Sequence, residues 1–155
     1  MAEENANTSR RRVGWILLAA GVAGAAMVWA RRRYFTVRSV QTGETPEYPD
    51  IVPQVFAYSP DEVWGAALEA VRTLPGWSVV AEEDGEIRAT AVGAGYRHEV
   101  SVSVEPLMNG RMVKVTTSSR CEGRMPDLGA NARIVRAFQA RLRELLPSGG
   151  ETRVQ

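Results

Sequence analysis

The residues of this chain with the most chemistry to offer lie late in it: Ser119-Arg120-Cys121, then Gly123, Asp127, Gly129 and Asn131. An arginine can hold an anion, an aspartate can take a proton, and a serine or cysteine can attack an electrophile. A working nucleophile needs a base beside it, and the base needs a third group to orient it. His98 is the single histidine and falls on a different element, so spacing assigns no triad. A plainer role is available. Arg120 pairs with Asp127 to fix the loop, and Asp127 and Asn131 satisfy backbone N–H groups where a helix begins. On this reading Ser119, Arg120, Gly123, Asp127, Gly129 and Asn131 form a motif that is structural before it is functional. No catalytic residue, cofactor site or metal ligand is assigned, since no second histidine exists to share a metal.

The motif loop feeds a closing helix. Ile134, Val135, Phe138, Leu142, Leu145 and Leu146 recur at helical spacing until Pro147 and Gly149-Gly150 stop the run, which predicts a helix over Leu128 to Leu146. Before the loop come strands. Trp77 to Glu83 and Glu86 to Val92 flank Asp84-Gly85, the pattern of a two-residue hairpin. Tyr96, His98, Val100, Val102 and Val104 alternate with polar residues, and Asn109-Gly110 leads into Met112 to Ser119. His98 thus sits on the apolar face, where a histidine is expected to be a hydrogen-bonded core residue. Gly93-Ala94-Gly95 joins two strands, with no following lysine or helix, and is read as a flexible loop and not a phosphate cradle.

Ahead of the strands, Ser59-Pro60-Asp61-Glu62 is a helix start. Ser59 can cap, Pro60 suits the first helical position, and Glu62 can close a capping box. Val63, Trp64, Ala67, Leu68, Val71 and Leu74 make its apolar stripe, with Trp64 expected in the core, and Pro75-Gly76 ends it. Val55 to Tyr58 reads as a short edge strand. The fold class expected is α+β: an antiparallel sheet of four or five strands with the Pro60 to Leu74 and Leu128 to Leu146 helices on one face.

The run Ser119-Arg120, Gly123, Asp127-Leu128-Gly129 and Asn131 resembles the ending of the family catalogued as domain of unknown function 1499. Members of that family close with Ser-Arg, Gly and Asp-x-Gly-x-Asn. The upstream order of helix, strands and closing helix is also similar, and the resemblance covers Pro53 to Leu146. It implies a small α+β domain associated with an envelope or membrane, and it supplies no activity.

Val13 to Ala30 holds no charged side chain, is bracketed by Arg10-Arg11-Arg12 and Arg31-Arg32-Arg33, and carries Trp15 and Trp29 near its ends. As a helix it reaches roughly 27 Å, close to a hydrocarbon core about 30 Å thick, so a single transmembrane helix is expected to precede the domain. The arginines after the run favour an uncleaved anchor over a removed signal peptide. Residues 1–12 are read as a disordered basic tail, 31–54 as a Pro-containing linker through Pro46, Pro49 and Pro53, 55–146 as the α+β domain and 147–155 as a disordered tail. The chain is expected in the inner (cell) membrane with the domain outside the cytoplasm. Its arginine flanks nearly balance, but exporting a short tail with three arginines opposes the positive-inside bias more than exporting a domain does.

The formal charge of +1 hides an asymmetry, because residues 34–155 hold 13 Lys+Arg against 16 Asp+Glu. A weakly acidic domain lacks the footprint of a nucleic-acid binder. One cysteine, Cys121, excludes an intramolecular disulfide. The function preferred is a non-catalytic, membrane-anchored domain that binds an envelope protein partner or serves a membrane complex as an accessory or scaffolding subunit. Its other partner is the bilayer, through Val13 to Ala30. The alternatives are a small-ligand or lipid-binding domain, in which sheet and closing helix grip an apolar molecule, and an enzyme using the Ser119, Arg120, Asp127 and Asn131 loop.

Overall fold

Two hairpins form the middle of the sheet. The computed structural model describes Val28 and residues 37–93, 95–122 and 128–147. Within them, β3 (Trp77–Glu83) and β4 (Glu86–Gly93) turn on Asp84-Gly85, and β5 (Tyr96–Leu107) and β6 (Met112–Cys121) turn through a single 3-10 turn, Met108–Gly110. That second turn needs positive φ at Met108, Asn109 and Gly110, 49°, 58° and 79°. Asparagine tolerates that region and glycine enters it without strain, whereas Met108 does so at a steric cost.

All pairings are antiparallel, in the order β1-β6-β5-β4-β3. The outer edge of β6 is divided. β1 (Ser39–Gln41) lies opposite Ser118 to Arg120 and β2 (Gln54–Phe56) opposite Val113 to Val115, so two short strands fill one row end to end. The sheet therefore has six strands, which corrects the expected four or five. The expected preceding transmembrane helix is also not supported: no helix among the described residues is long and apolar enough to cross a membrane. Apart from Val28, the stretch 13–30 lies outside those residues, as do 1–12 and 148–155.

Helix α1 (Pro60–Thr73) starts as its sequence dictates. Ser59 accepts from the Glu62 backbone N–H while the Glu62 carboxylate accepts from the Ser59 N–H, a closed capping box with Pro60 at its first turn. Helix α2 (Ala130–Leu145) packs beside it on the same face of the sheet. Val63, Ala67 and Val71 of α1, Phe138 and Leu142 of α2, and Ile87, Val100, Val102, Val113 and Val115 of the sheet form one main core. Trp77 of β3 stacks on Phe138 with centroids 6.1 Å apart. Trp64 is half-buried at the margin of this core and not within it.

Residues 37–54 of the segment expected to be a spacer are folded. Val37, Val40, Tyr48 and Ile51 are buried with Ala132 and Val135 of α2 in a second, smaller core. Residues 37–54 thus form a strap over the outer flank of α2. Gln139 Nε2 donates to the Val52 carbonyl at 2.7 Å, Gln54 Nε2 to the Gln139 carbonyl at 3.1 Å, and Arg136 grips Asp50 through two nitrogens at 2.7 and 3.0 Å. Pro46, Pro49 and Pro53 set its bends without preventing burial of the apolar residues between them.

Candidate functional site

Strand geometry splits the Ser119-Arg120 pair. Successive side chains point to opposite faces, so Ser119 is buried under the helices and Arg120 is exposed on the outer face. Beneath α2, Ser119 Oγ donates to Asn131 Oδ1 at 2.7 Å, and His98 Nδ1 lies 2.8 Å from the same oxygen. Asn131 Nδ2 donates to the Arg38 carbonyl at 3.0 Å. All three side chains are at most 1% exposed.

This geometry fixes the protons. The Arg38 carbonyl only accepts, so the Asn131 amide nitrogen must face it and Oδ1 must face Ser119 and His98. An amide oxygen only accepts, so His98 carries a proton on Nδ1. Ser119 and His98 both donate to one acceptor. That is not the arrangement of a nucleophile and its base, in which the imidazole nitrogen accepts the hydroxyl proton. The network ties β5, β6, α2 and the start of the strap at a single buried amide.

Asn131 is therefore not a helix cap, which corrects that expectation. It is the second residue of α2, and its side chain turns into the fold. The cap position is Gly129 at φ 76°, a conformation that favours glycine, and no side chain caps there. Gly123 and Asp127 lie outside the described residues, so the Arg120 to Asp127 pair does too. Cys121 is half-buried, and its backbone N–H donates to the Arg38 carbonyl at 3.3 Å. His98 was expected as a hydrogen-bonded core residue and is one. Its partnership with the motif was not expected, and the available signal was its place on the face shared with Ser119.

Two of the surface grooves lie outside the strap and bear on recognition. One, about 510 Å³ on the outer sheet face, is lined by Arg88, Arg97, Arg120, Glu99 and Glu122 with hydroxyls of Thr90, Ser101 and Ser118 between them. It carries both charge signs. The other, about 430 Å³, lies where the β3–β4 turn meets the start of α1, with an apolar floor of Pro60, Trp64, Val104 and Pro106 and a rim of Asp61, Glu82, Glu83 and Asp84. Glu82 pairs with Arg72 and Glu83 with Arg88. Among the described residues no cluster of His, Cys, Asp or Glu is arranged to hold a metal. Two exposed carboxylates titrate low: Asp50 through its hydrogen bond to Arg136, and Glu62 through its bonds to the Ser59 side chain and backbone.

The chain's own sequence identifies its relatives. The family model described as "Protein of unknown function (DUF1499)" matches residues 30–142. The chain belongs to that family. The DUF1499 match begins well before Pro53, which agrees with the strap being part of the folded unit. No curated protein matches the chain. Among solved structures it is similar to a protein from Nitrosospira multiformis at 12% identity and TM-score 0.47, covering 71% of this chain and 97% of that one. It is also similar to one from Mesorhizobium loti at 17% identity and TM-score 0.47, covering 73% and 99%. A third, from Chromobacterium violaceum, has 15% identity and TM-score 0.41 over 70% and 94%. Likenesses at these scores carry no argument about function.

Proposed function

We propose that this DUF1499 domain is a non-catalytic module that binds a protein partner, serving as an accessory or scaffolding subunit. The observation that supports the reading is the direction of the buried hydrogen bonds. Ser119 and His98 both donate to Asn131, so the residue types best suited to catalysis are engaged in holding strands, helix and strap together. The interior speaks against a gripped apolar ligand. Phe138, Leu142 and Ile87 are fully buried and fill the space between α2 and the sheet, and Val135 is fully buried under the strap. What remains for recognition is the surface, where the grooves on the outer sheet face and beside the start of α1 are lined largely by charged and half-buried side chains. Association with a cell membrane through residues 13–30, with the domain on its extracytoplasmic side, belongs to the same proposal and rests on composition alone.

In vivo crosslinking of the full chain, followed by identification of the bound species, tests this. A discrete protein adduct retained by Ser119→Ala is the expected result. A chain that yields no protein adduct but co-purifies with one small molecule, lost in Ser119→Ala, overturns it.

A further inference from the structure

We infer that the groove between the β3–β4 turn and the start of α1 is a docking site for an arginine-bearing, proline-rich peptide segment of a partner protein. The inference rests on the partner-binding reading and names the surface and the chemistry.

Three features of the groove converge. Its floor is apolar and stiff: Pro60 and Pro106 are rings with fixed φ, and Val104 is held in β5 by its pairing with β6 and by its N–H bond to the Gly85 carbonyl. A preformed floor of this kind costs little ordering on binding. Next, Trp64 is only half-buried although it stands in the apolar stripe of α1. The indole packs partly on the core and lines the groove as well. Indoles are the best aromatic partners for a cation and also stack well on proline rings. The rim then decides the sign of the ligand. Of its four carboxylates, Glu82 and Glu83 are matched by Arg72 and Arg88, whereas among the described residues Asp61 and Asp84 have no ion pair. An aromatic and proline floor beside unmatched carboxylates complements an extended segment that presents prolines to the floor and a guanidinium to the rim. The volume, about 430 Å³, suits a short stretch of such a segment and not a folded surface.

The groove on the outer sheet face does not compete for this ligand. Arg88, Arg97 and Arg120 stand among its carboxylates and would repel a cationic segment. A self-ligand from the strap is excluded as well, since its prolines are flanked by Glu44, Glu47 and Asp50 and it is already bound to α2.

The test uses the purified full chain and two synthetic peptides, one of sequence Arg-Ala-Leu-Pro-Pro-Leu-Pro and one with glutamate in place of its arginine. Binding is followed by chemical-shift perturbation and calorimetry at low and high salt. The expected result is binding of the arginine peptide tighter than about 1 mM, weakened about tenfold by the glutamate exchange and similarly by Trp64→Ala. Added salt also weakens it, with shifts confined to Trp64, Asp84, Gly85 and their neighbours. Because Trp64→Ala also trims the core margin, Asp61→Asn with Asp84→Asn is the second variant. Both aspartates are exposed, and the pair lowers affinity while leaving the melting temperature unchanged. Absence of binding by the arginine peptide, or binding indifferent to both variants, overturns the assignment of this groove. In that event a protein adduct recovered from cells at another surface still stands for the partner-binding reading, so the two failures are distinguishable.

Discussion

The sealed amide at Asn131 and the open groove at Trp64 use opposite kinds of residue for opposite ends. Serine, histidine and asparagine suggest chemistry, yet here they are buried, Ser119 and His98 donate to the Asn131 amide oxygen, and the amide nitrogen donates to a backbone carbonyl. Tryptophan, proline and scattered carboxylates suggest ordinary packing and solvation, yet they line a groove that faces solvent. Residue type alone would assign chemistry to the first region and packing to the second. Burial and the direction of hydrogen bonds separate them.

Substitutions can break this contrast. The largest effect is expected from Asn131→Ala, which leaves the Ser119 hydroxyl and the His98 Nδ1–H without their shared acceptor in a buried interior and takes one of two donors from the Arg38 carbonyl; unfolding in urea should show a loss of about 3 kcal/mol. Ile51→Ala follows at about 2 to 3 kcal/mol if the strap belongs to the fold, because it opens a cavity in the second core. A spacer would lose nothing. Ser119→Ala removes one donor and leaves Asn131 Oδ1 still engaged by His98, so about 1 kcal/mol is expected. On the groove side, Asp61→Asn with Asp84→Asn should stay within about 0.5 kcal/mol of the parent, as surface changes do.

Smallest of all is a pH effect at the strap. The hydrogen bond from Arg136 holds the folded Asp50 carboxyl below its ordinary 3.8, so its contribution is complete above that value and disappears as pH falls through the lower folded value. Asp50→Asn should therefore change the shape of the stability profile only in acid, and acid titration of the melting temperature reads it.

Much of the fold was legible because its signals are local. The capping box lies within Ser59 to Glu62, the first hairpin turn within Asp84-Gly85, and the inward placement of His98 within one alternating strand. The rest depends on contacts between distant residues. Val37, Val40, Tyr48 and Ile51 show no period among their prolines, and only α2 gives them a surface to cover. Two three-residue strands that share one edge of β6 are too short to announce themselves, which is why six strands read as four or five. Asn131 stands near a helix start, where asparagine usually caps. Glycine at φ 76° took the cap position and freed the amide to turn inward. Its partners lie 33 and 12 residues away, beyond any spacing rule.

The central proposal is that the Ser119, His98 and Asn131 constellation serves to hold the fold. The most direct measurement pairs equilibrium unfolding with partner crosslinking, on the full chain, for the parent and Ser119→Ala. The account predicts a stability loss of about 1 kcal/mol with the yield of protein adduct per folded molecule unchanged. Unchanged stability with a collapsed adduct yield would contradict it and make the buried hydroxyl a functional group.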